Sequence, residues 1–233
     1  VRGRALPSLA VRRGQIVESL VALSGDEYES IRVLKLSARQ RGEVAVNAAL
    51  RDAPTMASID RYTGVLYDAL GAASLDAAAR RWLGRHVLIH SAPFGPVGAL
   101  DAIPSYRLGA AVSLPGQPPL RRVWADAVTE ALAGAAPSFV LDLRSEAYVV
   151  LGPVPGEVPH AYVRVVTEGA DGAVRALNHF NKHAKGELVR ALALARPRIG
   201  SRAGLLRWAA SEGWVLRESA HDDAPGELEL VVA

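Results

Sequence analysis

Hydrophobic residues in this chain change their spacing along its length, and that change limits the fold more than any other feature. Over residues 14–24, Ile16, Val17, Leu20 and Leu23 recur at the 3.6-residue period of a helix with one buried face. From Ser37, Val44, Ala48 and Ala49 repeat the pattern, and over 58–70 Ile59, Tyr62, Val65, Leu66 and Leu70 repeat it again around Gly64. Ser74 is placed to cap a fourth helix, Leu75 to about Gly84, with Asp76 favourable in its first turn. His86–His90 is short and apolar, the signature of a buried strand with both histidines on one face, and it leads into Ala92–Gly98, which holds too many breakers for regular structure.

The second half mixes periods. Tyr106–Val112 reads as a strand, 114–119 as a proline-rich break, and 120–134 as a helix burying Val123, Trp124, Ala127, Val128 and Leu132. Phe139–Leu143 reads as another strand. Tyr162–Glu168 and Val174–His179 flank Gly169-Ala170-Asp171-Gly172, a hairpin signal because Asp-Gly suits turns with positive φ. Helices at 181–195, stopping at Arg196-Pro197, and at 202–211 precede a closing hairpin of Trp214–Glu218 with Glu227–Val232. The expectation is one mixed α/β domain of the α+β kind over 1–233, with helices concentrated early and antiparallel pairs late.

Composition narrows the function classes. Half of the 233 residues are hydrophobic and 22% are charged, which is ordinary for a globular protein with a sizeable core. With no cysteine there is no thiolate metal site, disulfide or catalytic thiol, which suits a cytoplasmic setting. No apolar run reaches the length of a membrane span. The start, Val1-Arg2-Gly3-Arg4, resembles neither a signal peptide nor an initiator methionine, so the true N-terminus is expected to be missing. A net charge of +3 permits a polyanionic partner without demanding one. The spacings of phosphate-binding glycine loops, zincins and serine hydrolases are all missing.

Of 27 basic side chains only three are lysine, and two of those, Lys182 and Lys185, share the polar run Asn178–Glu187. Guanidinium stays charged and binds oxyanions through its planar fork, whereas an ammonium can shift its pKa and act as base or nucleophile. A strand, a polar turn and a helix start would place free N–H groups and a partial positive dipole beside Lys182 and Lys185, with Arg190 further along the same face. Gly186 would let a backbone approach closely, and Glu187 complements the dipole. His179 and His183, spaced i, i+4, resemble a metal pair, but the neighbouring lysines oppose a dication, so no metal and no cofactor is expected. Tyr106-Arg107 follows an irregular loop, and Asp142, Arg144, Ser145 and Glu146 follow a strand end, where ligand clefts commonly form. Ordinary ion pairs or an exposed basic helix start would account for the same residues.

Four segments occur in a familiar order: Arg61–Tyr67, Ile103–Leu108, Asp142–Tyr148 and His179–Gly186. The chain resembles the YaaA family of bacterial peroxide-stress proteins, from about Val21 to its end. The resemblance implies a single domain with a mixed sheet, flanking helices and a basic cleft. It also implies a cytoplasmic role in limiting iron-linked peroxide damage, with DNA binding through a helix-hairpin-helix-like element. Carried over by motif, that element falls on Lys182, Lys185 and the helix through Arg190, with Arg107 and Arg144 as further anion-binding residues. Tyr62, Tyr106, Asp142, Ser145 and Glu146 complete the cleft candidates.

Three departures stand out. The family's N-terminal strand is missing, Gly98 stands where a motif arginine is typical, and Asn181 and His183 replace small residues. Two further readings therefore stand beside the stress protein. One is a paralogue acting on an anionic small molecule or nucleotide in a biosynthetic pathway, with Lys182, Lys185, His179 and His183 as catalytic groups. The other is an interaction module whose cleft binds another protein.

Overall fold

The computed structural model describes residues 4–168, 174–176, 180–219 and 226–232. Along the chain run α1 (Ala10–Leu23), α2 (Glu27–Leu34), α3 (Glu43–Ala48), β1 (Thr55–Ala57), α4 (Ser58–Arg61), α5 (Val65–Leu70), α6 (Ala77–His86), β2 (Leu88–Ser91), β3 (Gly95–Gly98) and β4 (Ala102–Pro104). These are followed by α7 (Leu120–Ala135), β5 (Val140–Asp142), α8 (Glu146–Val149), β6 (His160–Glu168), β7 (Val174–Ala176), α9 (Phe180–Ala195), α10 (Arg202–Ser211), β8 (Leu216–Glu218) and β9 (Glu227–Val232). The fold is mixed α+β, and its contacts divide it into two units.

The first unit takes residues 1–61, 84–135 and 144–155. Helix α1 begins at Ala10, earlier than its apolar period suggests, and buries Ile16, Leu20 and Leu23. Asp26, whose side chain accepts from Glu29 N–H at 2.9 Å, caps α2, an element too polar to register as a helix by period. The helix expected from Ser37 is broken into a short 3₁₀ turn, Ala38–Gln40, and α3. Asn47 and Leu50 are buried there, while Ala48 and Ala49 face outward. The glycine- and proline-rich segment expected to be irregular instead folds back as β3, antiparallel to β2, with Ile89 opposite Val97. Gly95, at φ +60°, permits the turn, and the Trp124 indole on α7 donates to Ala92 O at 2.9 Å across it. The strand expected at Tyr106–Val112 does not form. Its place is taken by β4, paired antiparallel with β1. His86 ends α6, so it does not share a strand face with His90.

The second unit takes 62–83, 136–143 and 156–233. Gly64, at φ +103°, stops the helix expected over 58–70, and α5 starts after it. Helix α6 is capped by Asp76, whose carboxylate accepts from Ala79 N–H at 2.6 Å, and not by Ser74, which lies in a preceding 3₁₀ turn. The five-stranded sheet centres on β6. One edge of β6 carries β9 in parallel, and the other carries β5 in parallel at its start and β7 antiparallel at its end. β8 closes the far side of β9, Leu216 opposite Leu230, as the hairpin pattern predicts. The turn between β6 and β7 lies outside the described residues. Ala161, Val163 and Val165 of β6 join Leu228 and Leu230 of β9, Ala184, Leu188 and Leu192 of α9, and Leu205 and Ala209 of α10 in one core. Residues of 3.6 and of 2.0 spacing thus meet in a single apolar layer.

Candidate functional site

Helix α9 presents its basic residues on two different sides. Lys182, in the first turn, is exposed, and so is His183, whose Nδ1 lies 3.3 Å from Glu187 one turn on. Lys185 is buried, at 3% exposure, because it shares a face with Ala184 and Leu188. Its Nζ stands 5.0 Å from the centroid of the Tyr162 ring on β6. An aromatic face is one of the few apolar surfaces that compensates an ammonium withdrawn from water. Sheet register puts Asp142, itself buried, and Glu227 on either side of Tyr162. Glu227 is engaged by Arg164, Nε at 2.9 Å and Nη2 at 2.7 Å. Two sequence candidates, Lys185 and Asp142, are therefore gathered around Tyr162, a residue that strand alternation alone did not distinguish.

Arg190 turns back onto its own unit. Its Nη1 donates to Leu70 O at 2.8 Å, Gly71 O at 3.2 Å and Ser74 Oγ at 2.9 Å, closing the carbonyl end of α5. Gly186 serves the same contact. A Cβ there would meet Leu66 O at 2.2 Å, so α9 and α5 approach closely only because position 186 has no side chain. The close approach expected at this glycine is made by a helix. Tyr62 stacks on Tyr67 with centroids 5.2 Å apart. His179 lies outside the described residues.

In the first unit Arg144 is half-buried and fully oriented. Its Nη1 lies 2.9 Å from His90 Nδ1 and donates to Gly152 O at 2.9 Å. A guanidinium never accepts, so His90 Nδ1 must, which puts the imidazole proton on Nε2. The His90 ring leans against Tyr148, centroids 5.7 Å apart. Ser145 and Glu146 are exposed at the start of α8.

Arg107 is also exposed, and its backbone is held by Asn47, a fully buried residue that sequence reasoning passed over. Asn47 Oδ1 accepts from Arg107 N–H at 2.7 Å and its Nδ2 donates to Arg107 O at 2.9 Å. The amide thus imitates a strand neighbour where no strand forms. Tyr106 OH accepts from Ser91 Oγ at 3.0 Å, and its ring meets Phe94 edge-on.

Gly98, in the place of the expected arginine, is enclosed. Its N–H donates to Asp101 Oδ2 at 2.8 Å, and Ser58 Oγ donates to its carbonyl at 2.6 Å. A side chain here would begin 3.2 Å from the Asp101 carboxylate. No group of three or more metal-binding side chains is assembled among the described residues, and no helix among them is long and apolar enough to cross a membrane.

A mixed sheet with flanking helices, a lysine buried on an aromatic ring and arginines donating to backbone carbonyls define an α+β protein. The chain belongs to the family described as peroxide stress protein YaaA, whose model matches residues 3–220. A UPF0246 protein of Corynebacterium efficiens is 44% identical over 204 residues, spanning 86% of this chain and 79% of the relative. One from Corynebacterium glutamicum is 40% identical over 219 residues, 92% of this chain and 85% of its own. A Streptomyces coelicolor relative is 44% identical over 192 residues, spanning 81% and 73%.

Proposed function

We propose that the chain acts in the peroxide-stress role of its family by binding DNA, or another polyanion, through the first turns of α9. The observation that carries this reading is the placement of Lys182, exposed in the first turn of a 16-residue helix whose opening N–H groups and dipole favour phosphate. Lys185 holds the next turn against the sheet. Limiting iron-linked damage would follow from occupancy of DNA.

The test is duplex binding across a salt series with the intact protein and its Lys182→Ala variant. Each lost phosphate contact should flatten the slope of log K against log salt by about 0.9. Lys182→Arg should retain the slope. Affinity indifferent to salt, or an unchanged slope in Lys182→Ala, would sink the proposal.

A second reading is favoured by one observation, the burial of Lys185. An ammonium kept from water beside an aromatic ring and near a buried carboxylate is the setting in which lysine chemistry becomes possible. The class of reaction would be acid/base or nucleophilic work on an anionic small molecule. Turnover of such a substrate that survives Lys185→Arg intact would rule out amine chemistry.

A further inference from the structure

The first unit contains a cavity of about 470 Å³ far along the chain from the lysine segment. Its lining includes Arg4, Arg13, Arg51, Phe94, Leu50 and Gly14, with three guanidinium groups and no carboxylate among the described residues. That volume suits a small organic ligand, and guanidinium groups gathered on a wall that carries no carboxylate suit an anion.

The three arginines differ in how they are committed. Arg13 is buried and holds the backbone together, Nε donating to Phe94 O at 2.7 Å and Nη2 to Ala5 O at 2.7 Å and Pro96 O at 2.8 Å. Among the described residues Arg51 makes a long, exposed pair with Glu18, 4.0 Å apart. Arg4 lies with its guanidinium carbon 4.9 Å from the Phe94 ring centroid, and its buried Nε finds no hydrogen-bond partner among the described residues. A buried donor without an acceptor is costly, and an oxyanion in the cavity would supply one. Burial, followed by the nearby Arg4 charge, pulls the Arg13 guanidinium down to about 10 against a raising influence from Asp101. A bound anion would relieve that repulsion.

Gly14 adds an independent observation. It lies inside helix α1, where glycine is unfavourable, yet a Cβ at this position would meet nothing within 4 Å. Packing does not require the glycine. Its effect is to leave the cavity wall open.

We propose that this cavity is a second binding site, for a small organic anion that joins an oxyanion headgroup to a flat apolar body. The headgroup is held by Arg4 and Arg51, and the body lies against Phe94 and Leu50. The site is independent of the DNA-binding proposal, because it uses no residue of α9.

Phenyl phosphate is the probe, titrated into the intact chain by calorimetry, with inorganic phosphate and benzyl alcohol as its two halves. The expected result is saturable binding of phenyl phosphate, with each half at least about tenfold weaker. Arg4→Gln should weaken it about tenfold and Gly14→Leu should abolish it, both with melting no lower than that of the parent. Because the Gly14 position is open, Gly14→Leu blocks the cavity without disturbing the core and serves as the decisive variant if Arg4→Gln is poorly folded. Lys182→Ala should leave the affinity unchanged. No binding of phenyl phosphate at millimolar concentration overturns the proposal. So does binding that survives Gly14→Leu, or binding that is lost with Lys182→Ala.

Discussion

Replacing Gly186 by alanine sets two well-known effects against each other. In a helix interior, alanine is favoured over glycine by about 1 kcal/mol, so propensity alone predicts a more stable protein. Geometry predicts the opposite. The new Cβ would sit 2.2 Å from Leu66 O and 2.9 Å from Ala69 Cβ, both belonging to α5. Restoring ordinary contact requires α9 and α5 to part by roughly 1 Å, and overpacking of this kind costs about 1–3 kcal/mol. The same shift pulls Arg190 Nη1 from Leu70 O, now 2.8 Å away, and from Ser74 Oγ at 2.9 Å. Each hydrogen bond lost there costs a further ~1 kcal/mol.

The net expectation is destabilisation of about 2–4 kcal/mol, a fall in melting temperature of roughly 5–12 °C for a chain of this size. Thermal melts followed by circular dichroism measure it. Gly14→Ala is the control, since its Cβ enters open space and should raise stability by about 0.5–1 kcal/mol. If Gly186→Ala also stabilises, the close approach of the two helices does not hold and the reasoning fails.

Three other outcomes are expected. Asn47→Asp keeps the acceptor for Arg107 N–H but places a carboxylate beside Arg107 O, and should cost about 1–3 kcal/mol; amide exchange at Arg107 should quicken, and an unchanged rate would refute the account. The Asp76 carboxyl is held below the ordinary aspartate value of 3.8, chiefly by the Ala79 N–H, with Arg196 assisting. Because its folded pKa is depressed, its contribution is complete above that ordinary value and is lost as pH falls through the folded one. Carbon-13 titration should therefore show Asp76 protonating below pH 3.8, and the shift should shrink in Ala79→Pro, which lacks the main N–H donor. Nitrogen-15 spectra should find His90 with its proton on Nε2, and Arg144→Ala should remove that preference.

Much of the second unit was legible because its signals are local. The Trp214–Glu218 and Glu227–Val232 pattern, the helix at 181–195 and the apolar strand at 139–143 each carry a period that survives folding with shifts of a residue or two. The first unit was harder to read. Its β2–β3 hairpin is made by glycine and proline, whose usual sense is interruption, and its regularity comes from Arg13 and Trp124 reaching the carbonyls from elsewhere in the unit. Tyr106–Arg107 has the composition of a strand, but the neighbour that satisfies its backbone is the Asn47 amide, sixty positions away. For the candidate site, residue type was readable and side was not. One position separates exposed Lys182 and His183 from buried Ala184 and Lys185, a distinction set by where α9 meets the sheet.

The parallel pairing of β6 with β9 also has a consequence for biosynthesis. Tyr162 meets Glu227 and Thr167 meets Val232, so the middle strand acquires this neighbour only after some 65 further residues have been made. During translation the β6 edge stays open for that interval, and long-range pairing of this kind is intrinsically slow. Loss of even the last few strand residues would leave an apolar edge available to other chains, making inclusion in aggregates the expected fate of a prematurely terminated polypeptide.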